Sequence, residues 1–332
     1  MRWFTVPLAA LVASIGLAGS AQSEPVKIRW AWVAPVSNWG SMTPHKRDLA
    51  RHWGKSYDLQ PVRFAGTPPM LTAIANGELE IANIAYSTLA LAIENANLDM
   101  RVIADEFQDG VDGYYTSDYA VLKDSPIKTI EDLKGKVVAT NIGGSAVDIA
   151  SRAMLKRHGL IANRDYTIVE APFPTMRAML MEQKVAMVPN VPPFSRNPEM
   201  AKVSRKLFTS RDALGISQFI VWTAREAFIK KNRAALVDFL EDMMRIERWM
   251  TDPKNHDEVA KIAATITKSK PENFDWLYSK DDYYRSPDMK PNLDALQRNI
   301  DMTHELGFIK NKLDVRQYTA LSLVEEAAAR LK

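Results

Sequence analysis

From Val26 the chain alternates. Val26, Ile28, Trp30 and Trp32 fall on one face, and Lys27 and Arg29 on the other, which predicts a first strand over 26–33. A loop rich in Pro, Ser, Asn and Gly follows at 34–41, then a helix from about Pro44 to Trp53 and a strand over 58–65. Thr67 suits a helix cap and Pro68 the first helical position. Met70, Leu71, Ile74 and Ala75 then form an apolar stripe that Gly77 ends. A strand over 79–84, a helix over 86–95 and a short strand at Arg101–Ala104 come next. Phe107–Tyr115 reads as an insertion that overhangs a cleft. Strands alternating with helices predict an α/β fold built on a parallel sheet.

The pattern continues with strands at Tyr119–Lys123 and Lys136–Thr140, split by a turn and a short helix at Thr129–Leu133. Ser145 opens a helix with Asp148 as its capping-box partner. Ala146, Ile149, Ala150, Ala153 and Met154 make its buried face, Lys156, Arg157 and His158 suit its negative end, and Gly159 stops it. Val62–Asn83 and Ile168–Asn190 both read strand, Pro-containing turn, Met-led helix, strand, Asn. Two similar lobes explain this quasi-repeat, and chance likeness of α/β units is the rival explanation. Gln218–Thr223 is a further strand. Beyond Arg225 the chain is almost wholly helical and closes with a helix over 314–331, a tail expected to return and buttress the first lobe.

Composition narrows the class. At 332 residues, 46% hydrophobic and 25% charged, the chain suffices for two domains with separate cores. The net charge of +3, scattered along the chain, is too small for a nucleic-acid reader. Arg2, the charge-free apolar run Phe4–Ala18 and the small residues Gly19, Ser20 and Ala21 form a cleavable secretory leader over 1–21. A membrane span needs about 20 apolar residues, and this run is shorter. The chain has no cysteine, which excludes disulfides and a lipid-anchored N-terminus. A mature protein free in the periplasm is expected.

The run SPIKTIEDLKGKVVAT at 125–140, followed by Ile142, Gly143, Gly144 and Ser145, resembles periplasmic solute-binding proteins of the nitrate/sulfonate/taurine type, the group that includes the NMT1/THI5-like proteins. Ala73–Ala82 resembles that group's helix-to-strand junction, with Glu80 in place of the usual Asp. The resemblance spans Lys27 to Thr223. It implies the two-lobed type II periplasmic binding protein fold, with 26–119 and 219–332 in lobe 1 and 120–218 in lobe 2. It also implies a ligand in the interlobe cleft, a partnership with an ABC transporter permease and its ATPase, no cofactor, and a monomer.

Candidate contacts follow from where ligands meet such folds: beyond the carboxyl ends of strands, on helix N-termini that favour anions. Thr67, the run Gly143, Gly144, Ser145 and Ala146, and the pair Phe173 and Thr175 mark such starts. The two glycines permit close approach of a ligand or simply make a tight turn. Asp148, if turned inward, opposes an anion. Trp32, Ser37, Asn38 and Trp39 end the first strand and its loop, with Trp39 the stacking candidate and Trp30 core. Asn83, Tyr86 and Asn190 follow strands and offer neutral donors, though a satisfied turn Asn reads equally well. Trp222 lines the return crossover or packs in it. Arg177, just inside a helix start, is the nearest thing to a carboxylate clamp and reads equally as surface charge.

A small organic anion, a sulfonate or carboxylate with an aromatic body, is the expected ligand, with a neutral pyrimidine precursor of thiamin as the alternative. An enzyme on the same fold and a ligand sensor are competing classes. The five histidines show no metal-binding spacing, and no nucleophile elbow or H-E-x-x-H is present. The expectation is a binding protein, not an enzyme, with no metal.

Overall fold

The computed structural model describes residues 24–332; the secretory leader expected at 1–21 lies outside them. In chain order the elements are β1 (Val26–Trp32), α1 (Trp39–Met42), β2 (Tyr57–Arg63), α2 (Met70–Ala75), β3 (Ile81–Ala85), α3 (Tyr86–Glu94) and β4 (Met100–Asp109). Then come β5 (Asp118–Leu122), β6 (Val137–Thr140), α4 (Ala146–Arg157), β7 (Thr167–Glu170), α5 (Phe173–Met181), β8 (Val188–Asn190), α6 (Pro198–Val203), β9 (Ser204–Thr209) and α7 (Ser210–Leu214). The chain ends with β10 (Ser217–Arg225), α8 (Glu226–Thr251), α9 (His256–Thr267), α10 (Leu293–Glu305) and α11 (Ser322–Ala329).

Five strands form one sheet in the order β2-β1-β3-β10-β4, parallel across the first three and antiparallel at β10. The second lobe repeats the plan. β6 pairs with β7 in parallel, Met187 bridges in parallel to Val138, and β8 and β9 flank β5 antiparallel. Its order is thus β7-β6-β8-β5-β9, the same three-plus-two arrangement. The quasi-repeat seen in the sequence maps onto β2-α2-β3 and β7-α5-β8, which occupy equivalent places in the two sheets. The chain crosses between the sheets twice, after β4 and after β9, so the second lobe is one continuous run, β5 to β9, and the first lobe takes β10 after the chain returns.

The tail is more broken than its periodicity implies. The helix expected over 314–331 is a short 3-10 turn at Val315–Tyr318 followed by α11. Leu323, Val324 and Ala327 of α11 join Phe239, Leu240 and Met243 of α8 and Trp30 and Trp222 in one core cluster on the first sheet. The 44–53 helix is likewise replaced by α1 and a 3-10 segment at Thr43–Leu49. β4 runs on through Phe107 to Asp109, so the first residues of the expected insertion belong to the sheet. Among the described residues no helix is long and apolar enough to cross a membrane.

Candidate functional site

The strands β1, β3, β6 and β8 all end at one cleft between the lobes. About 550 Å³ of space, including that open to solvent, lies between its walls. From the first lobe come Val33, Ala34, Ser37, Asn38, Gly66, Thr67, Asn83 and Ala85; from the second, Asn141, Ser145, Ala146, Val147, Phe173, Val191 and Pro192. Phe107, Phe219, Ile220 and Tyr283 close the back. Phe107 and Tyr283 stack at 4.6 Å with planes 5° apart, and Phe219 meets both edge-on. No charged side chain is among these lining residues.

Two helices begin at the cleft. Ala85 caps α3, and Ser145, Ala146 and Val147 start α4. The first N–H groups of each helix have no carbonyl one turn back, so both helices turn positive ends toward the cleft. Ser145 Oγ accepts from the Asp148 N–H at 3.4 Å and donates to Asn141 Oδ1 at 2.7 Å. The Asn141 amide nitrogen is thereby left for the cleft. Ser37 Oγ is buried and has no hydrogen-bond partner among the described residues.

Behind the cleft lies a buried polar network. Glu106 accepts from Asn38 Nδ2 at 2.9 Å, from the Trp39 N–H at 2.9 Å, from Asn83 Nδ2 at 2.7 Å and from the Trp222 indole. The Val33 and Ala34 N–H groups donate to Asn38 Oδ1, and the Trp30 indole donates to Asn83 Oδ1. Both amides are held from both ends, so their orientation is set. Burial pushes Glu106 up to about 7 and its neighbour Asp105 up to about 6, against the hydrogen bonds that hold them ionised. Burial also lifts Glu247 well above the carboxylate range, and Glu106 and Asp105 add to the shift. Arg285 supplies the buried positive charge, paired with Asp282 at 2.9 Å and packed against the rings of Tyr278, Trp39 and Phe107.

Of the candidates read from sequence, Ser37, Asn38, Thr67, Asn83, Ser145, Ala146 and Phe173 line this cleft. The others are placed elsewhere. Trp39 is not in a polar loop: it opens α1, is fully buried and stacks on Tyr278 at 4.6 Å. Trp222 is buried with Trp30 at 4.5 Å and spends its N–H on Glu106. The Trp32 ring lies under Arg63. Tyr86 is buried and donates to the Ala146 carbonyl at 3.1 Å. Thr67 does not cap α2; its hydroxyl pairs with that of Thr88 at 2.7 Å.

Gly143 and Gly144 are absent from the cleft lining. Gly144, at φ +76°, packs where a Cβ would lie 3.2 Å from Leu91 Cδ1. The close approach in the cleft is made at Gly66, where a Cβ would meet Ile142 Cδ1 at 2.6 Å. Asp148 does not face an anion site: its carboxylate accepts from the Gly144 N–H at 2.9 Å, not from Ser145, and pairs with Arg152. Thr175 is exposed and bonds the Pro172 carbonyl. Arg177 and Asn190 line a separate small pocket on the second lobe, where Asn190 donates to Asp118 and Arg177 reaches Met181.

Glu106, Phe219, Tyr283 and Arg285 escaped the sequence reading, and Phe107 entered it only as the start of the insertion over the cleft. The one local signal was the polar pair Asp105 and Glu106 inside an apolar strand pattern. Among the described residues, His52, Asp238 and Glu241 bring three metal-type donors together. Arg330 pairs with Asp238 at 2.8 Å and Arg245 with Glu241, so guanidinium groups already neutralise these acids.

A family model described as the NMT1-like family matches residues 21–264. The structure is similar to the alkanesulfonate-binding protein SsuA from Xanthomonas axonopodis pv. citri bound to MOPS, at 16% identity and TM-score 0.72, over 90% of this chain and 99% of that one. It is similar to the periplasmic nitrate-binding protein NrtA from Synechocystis PCC 6803, at 14% identity and TM-score 0.72, over 93% and 90%. It also resembles the desulfurization enzyme DSZB, at 12% identity and TM-score 0.62, over 92% and 100%. At these identities the likeness is one of fold: two α/β lobes of the type II periplasmic binding arrangement around one cleft.

Proposed function

The chain belongs to the NMT1-like family, and from that premise we propose that it is the periplasmic solute-binding component of an ABC uptake system. It takes a small organic ligand with an aromatic body between its lobes, 26–119 with 219–332 and 120–218, and passes it as a monomer to a membrane permease driven by an ATPase. The observation that carries this reading is the lining of the cleft. Phe107, Phe173, Phe219 and Tyr283 offer a ring-shaped ligand apolar contact, and two helix N-termini and three amides offer donors to its polar end. That polar end is a carboxylate or sulfonate, since helix N-termini and N–H donors favour negative oxygen.

The same lining argues for capture over catalysis. It contains no histidine, lysine or carboxylate to act as a base. Ser145 is spent on Asn141, and Ser37 has no base within hydrogen-bond reach. The likeness to DSZB is a likeness of fold and carries no chemistry with it. One feature favours a second reading: with no cation in the inner cleft, a neutral pyrimidine precursor of thiamin also suits it.

Thermal unfolding of the mature protein against aromatic and aliphatic carboxylates, sulfonates, nitrate and pyrimidines separates the two. Ligand at about 100 times its dissociation constant adds roughly 2.7 kcal/mol. Stabilisation by aromatic acids supports the organic-anion reading. Stabilisation by pyrimidines alone supports the second. Turnover of any bound compound overturns both.

A further inference from the structure

The inner cleft does not end at its own walls. Val33, Ala34 and Phe173 also line a neighbouring pocket, and that pocket shares Arg63 and Phe194 with a third, larger one. Through these shared residues the three adjoin one another in a row that leads outward between the lobes. Phe173 and Phe194 stack at 5.7 Å where the path leaves the inner cleft.

The outer space differs from the inner in charge. Arg63 enters it from the end of β2 in the first lobe, and Arg196 from the segment after β8 in the second. Arg63 is exposed, lies over the Trp32 ring at 5.6 Å and spends one N–H on the Val33 carbonyl at 3.4 Å. Arg196 lies over Tyr115 at 4.4 Å and bonds the Asp281 carbonyl. Neither forms an ion pair among the described residues. Asp118 feels the charge of Arg196, but it accepts its hydrogen bond from the Asn190 amide at 3.1 Å. A guanidinium has five donors in a rigid fork, so each arginine keeps donors suited to a carboxylate or sulfonate.

We propose that this outer pocket is an acid-group subsite, so that the ligand is an elongated aromatic with an acid group at each end. One end meets the helix N-termini in the inner cleft, and the other passes Phe173 and Phe194 to reach Arg63 and Arg196. Because one arginine comes from each lobe, the outer acid group also ties the lobes together. This rests on the reading of the inner cleft as the ligand site.

Calorimetric titration with para-linked benzene and biphenyl dicarboxylates, against the corresponding monocarboxylates, tests it. A second acid group is expected to tighten binding about tenfold, the scale of one charged hydrogen-bonded contact. Arg63→Gln, at an exposed position, should abolish that gain and leave monocarboxylate affinity within about twofold. Arg196→Lys keeps the charge, loses the fork and should reduce the gain. Equal affinity for mono- and dicarboxylates, or an equal loss of both in Arg63→Gln, overturns the subsite while leaving the proposed function standing. Binding of neither class by the wild type overturns the subsite together with the carboxylate form of the organic-anion reading.

Discussion

The side-chain amide of Asn83 donates to the carboxylate of Glu106 at 2.7 Å, with both residues buried and only Asn83 lining the cleft. Glu106 therefore acts on a ligand through its neighbours: it takes one N–H of Asn83 and one of Asn38, leaves the second N–H of each amide free, and excludes the flipped amides. Glu106→Gln replaces one acceptor oxygen with a donor and leaves the bound N–H groups competing for the other. Ligand affinity should fall about tenfold, the effect of one or two buried unsatisfied groups. Calorimetry on the folded variant checks this; unchanged affinity would show that the asparagines hold their orientation unaided.

The same carboxyl carries a pH signature. Folding raises it from its ordinary value near 4.5 to about 7, so the folded state holds the proton more tightly than the unfolded one. Its contribution to stability is fully present below about 4.5 and is lost as pH rises through about 7. The stability of the wild type relative to Glu106→Gln should decline across that window. Paired thermal melts from pH 4.5 to 7.5 report the difference, and a constant difference refutes it. Asp105 and Asp118, each at about 6, act in the same direction and are common to both proteins.

Ser37→Ala separates binding from folding. Its hydroxyl has no partner to lose, so stability should change by less than about 0.5 kcal/mol. If the hydroxyl serves the ligand, affinity drops about two- to tenfold, the worth of one neutral hydrogen bond. A large fall in melting temperature with no change in affinity would reverse this assignment.

Trp39→Ala should do the opposite. The ring is fully buried, stacked on Tyr278 and lies outside the cleft. Its removal should cost about 3–5 kcal/mol of stability. Ligand affinity at a temperature where the variant is folded should remain within a few-fold. Denaturant unfolding and calorimetry give the two numbers.

Tyr86→Phe removes the hydroxyl that joins α3 of the first lobe to the Ala146 carbonyl of α4 in the second. The arrangement that brings α3 against α4 loses about 1 kcal/mol relative to one in which they part. Affinity should weaken about fivefold, and the ligand-free radius of gyration in solution scattering should grow. An unchanged radius and affinity would show that the hydroxyl does not hold the lobes together.

Much of the fold was legible along the chain because strand and helix periodicities are local. Val26–Trp32, Tyr86–Glu94, Ala146–Arg157 and Thr167–Asn190 could be read from side chains a few residues apart. Even the likeness of the two lobes was visible, since β2-α2-β3 and β7-α5-β8 keep the same order of turn, helix and strand. The loops that end those strands therefore named Ser37, Asn38, Thr67, Asn83, Ser145, Ala146 and Phe173, all of which the cleft brings together.

What the sequence determined by itself was the class of fold and the strand ends from which a cleft is built, because both follow from local periodicity and turn chemistry. Tertiary structure alone decided which side chains face that cleft. Trp39 looked like a polar-loop residue until Tyr278 and Arg285, more than two hundred positions away, were folded against it. Tyr283 and Arg285 reach the site only because the helical tail returns to the first lobe. Asp105 and Glu106 became tolerable inside a strand only when Ser286, Gln218, Trp222 and two asparagines arrived from distant segments to donate to them. Burial and hydrogen-bond partnership are properties of meetings between remote segments, and local sequence patterns do not contain them.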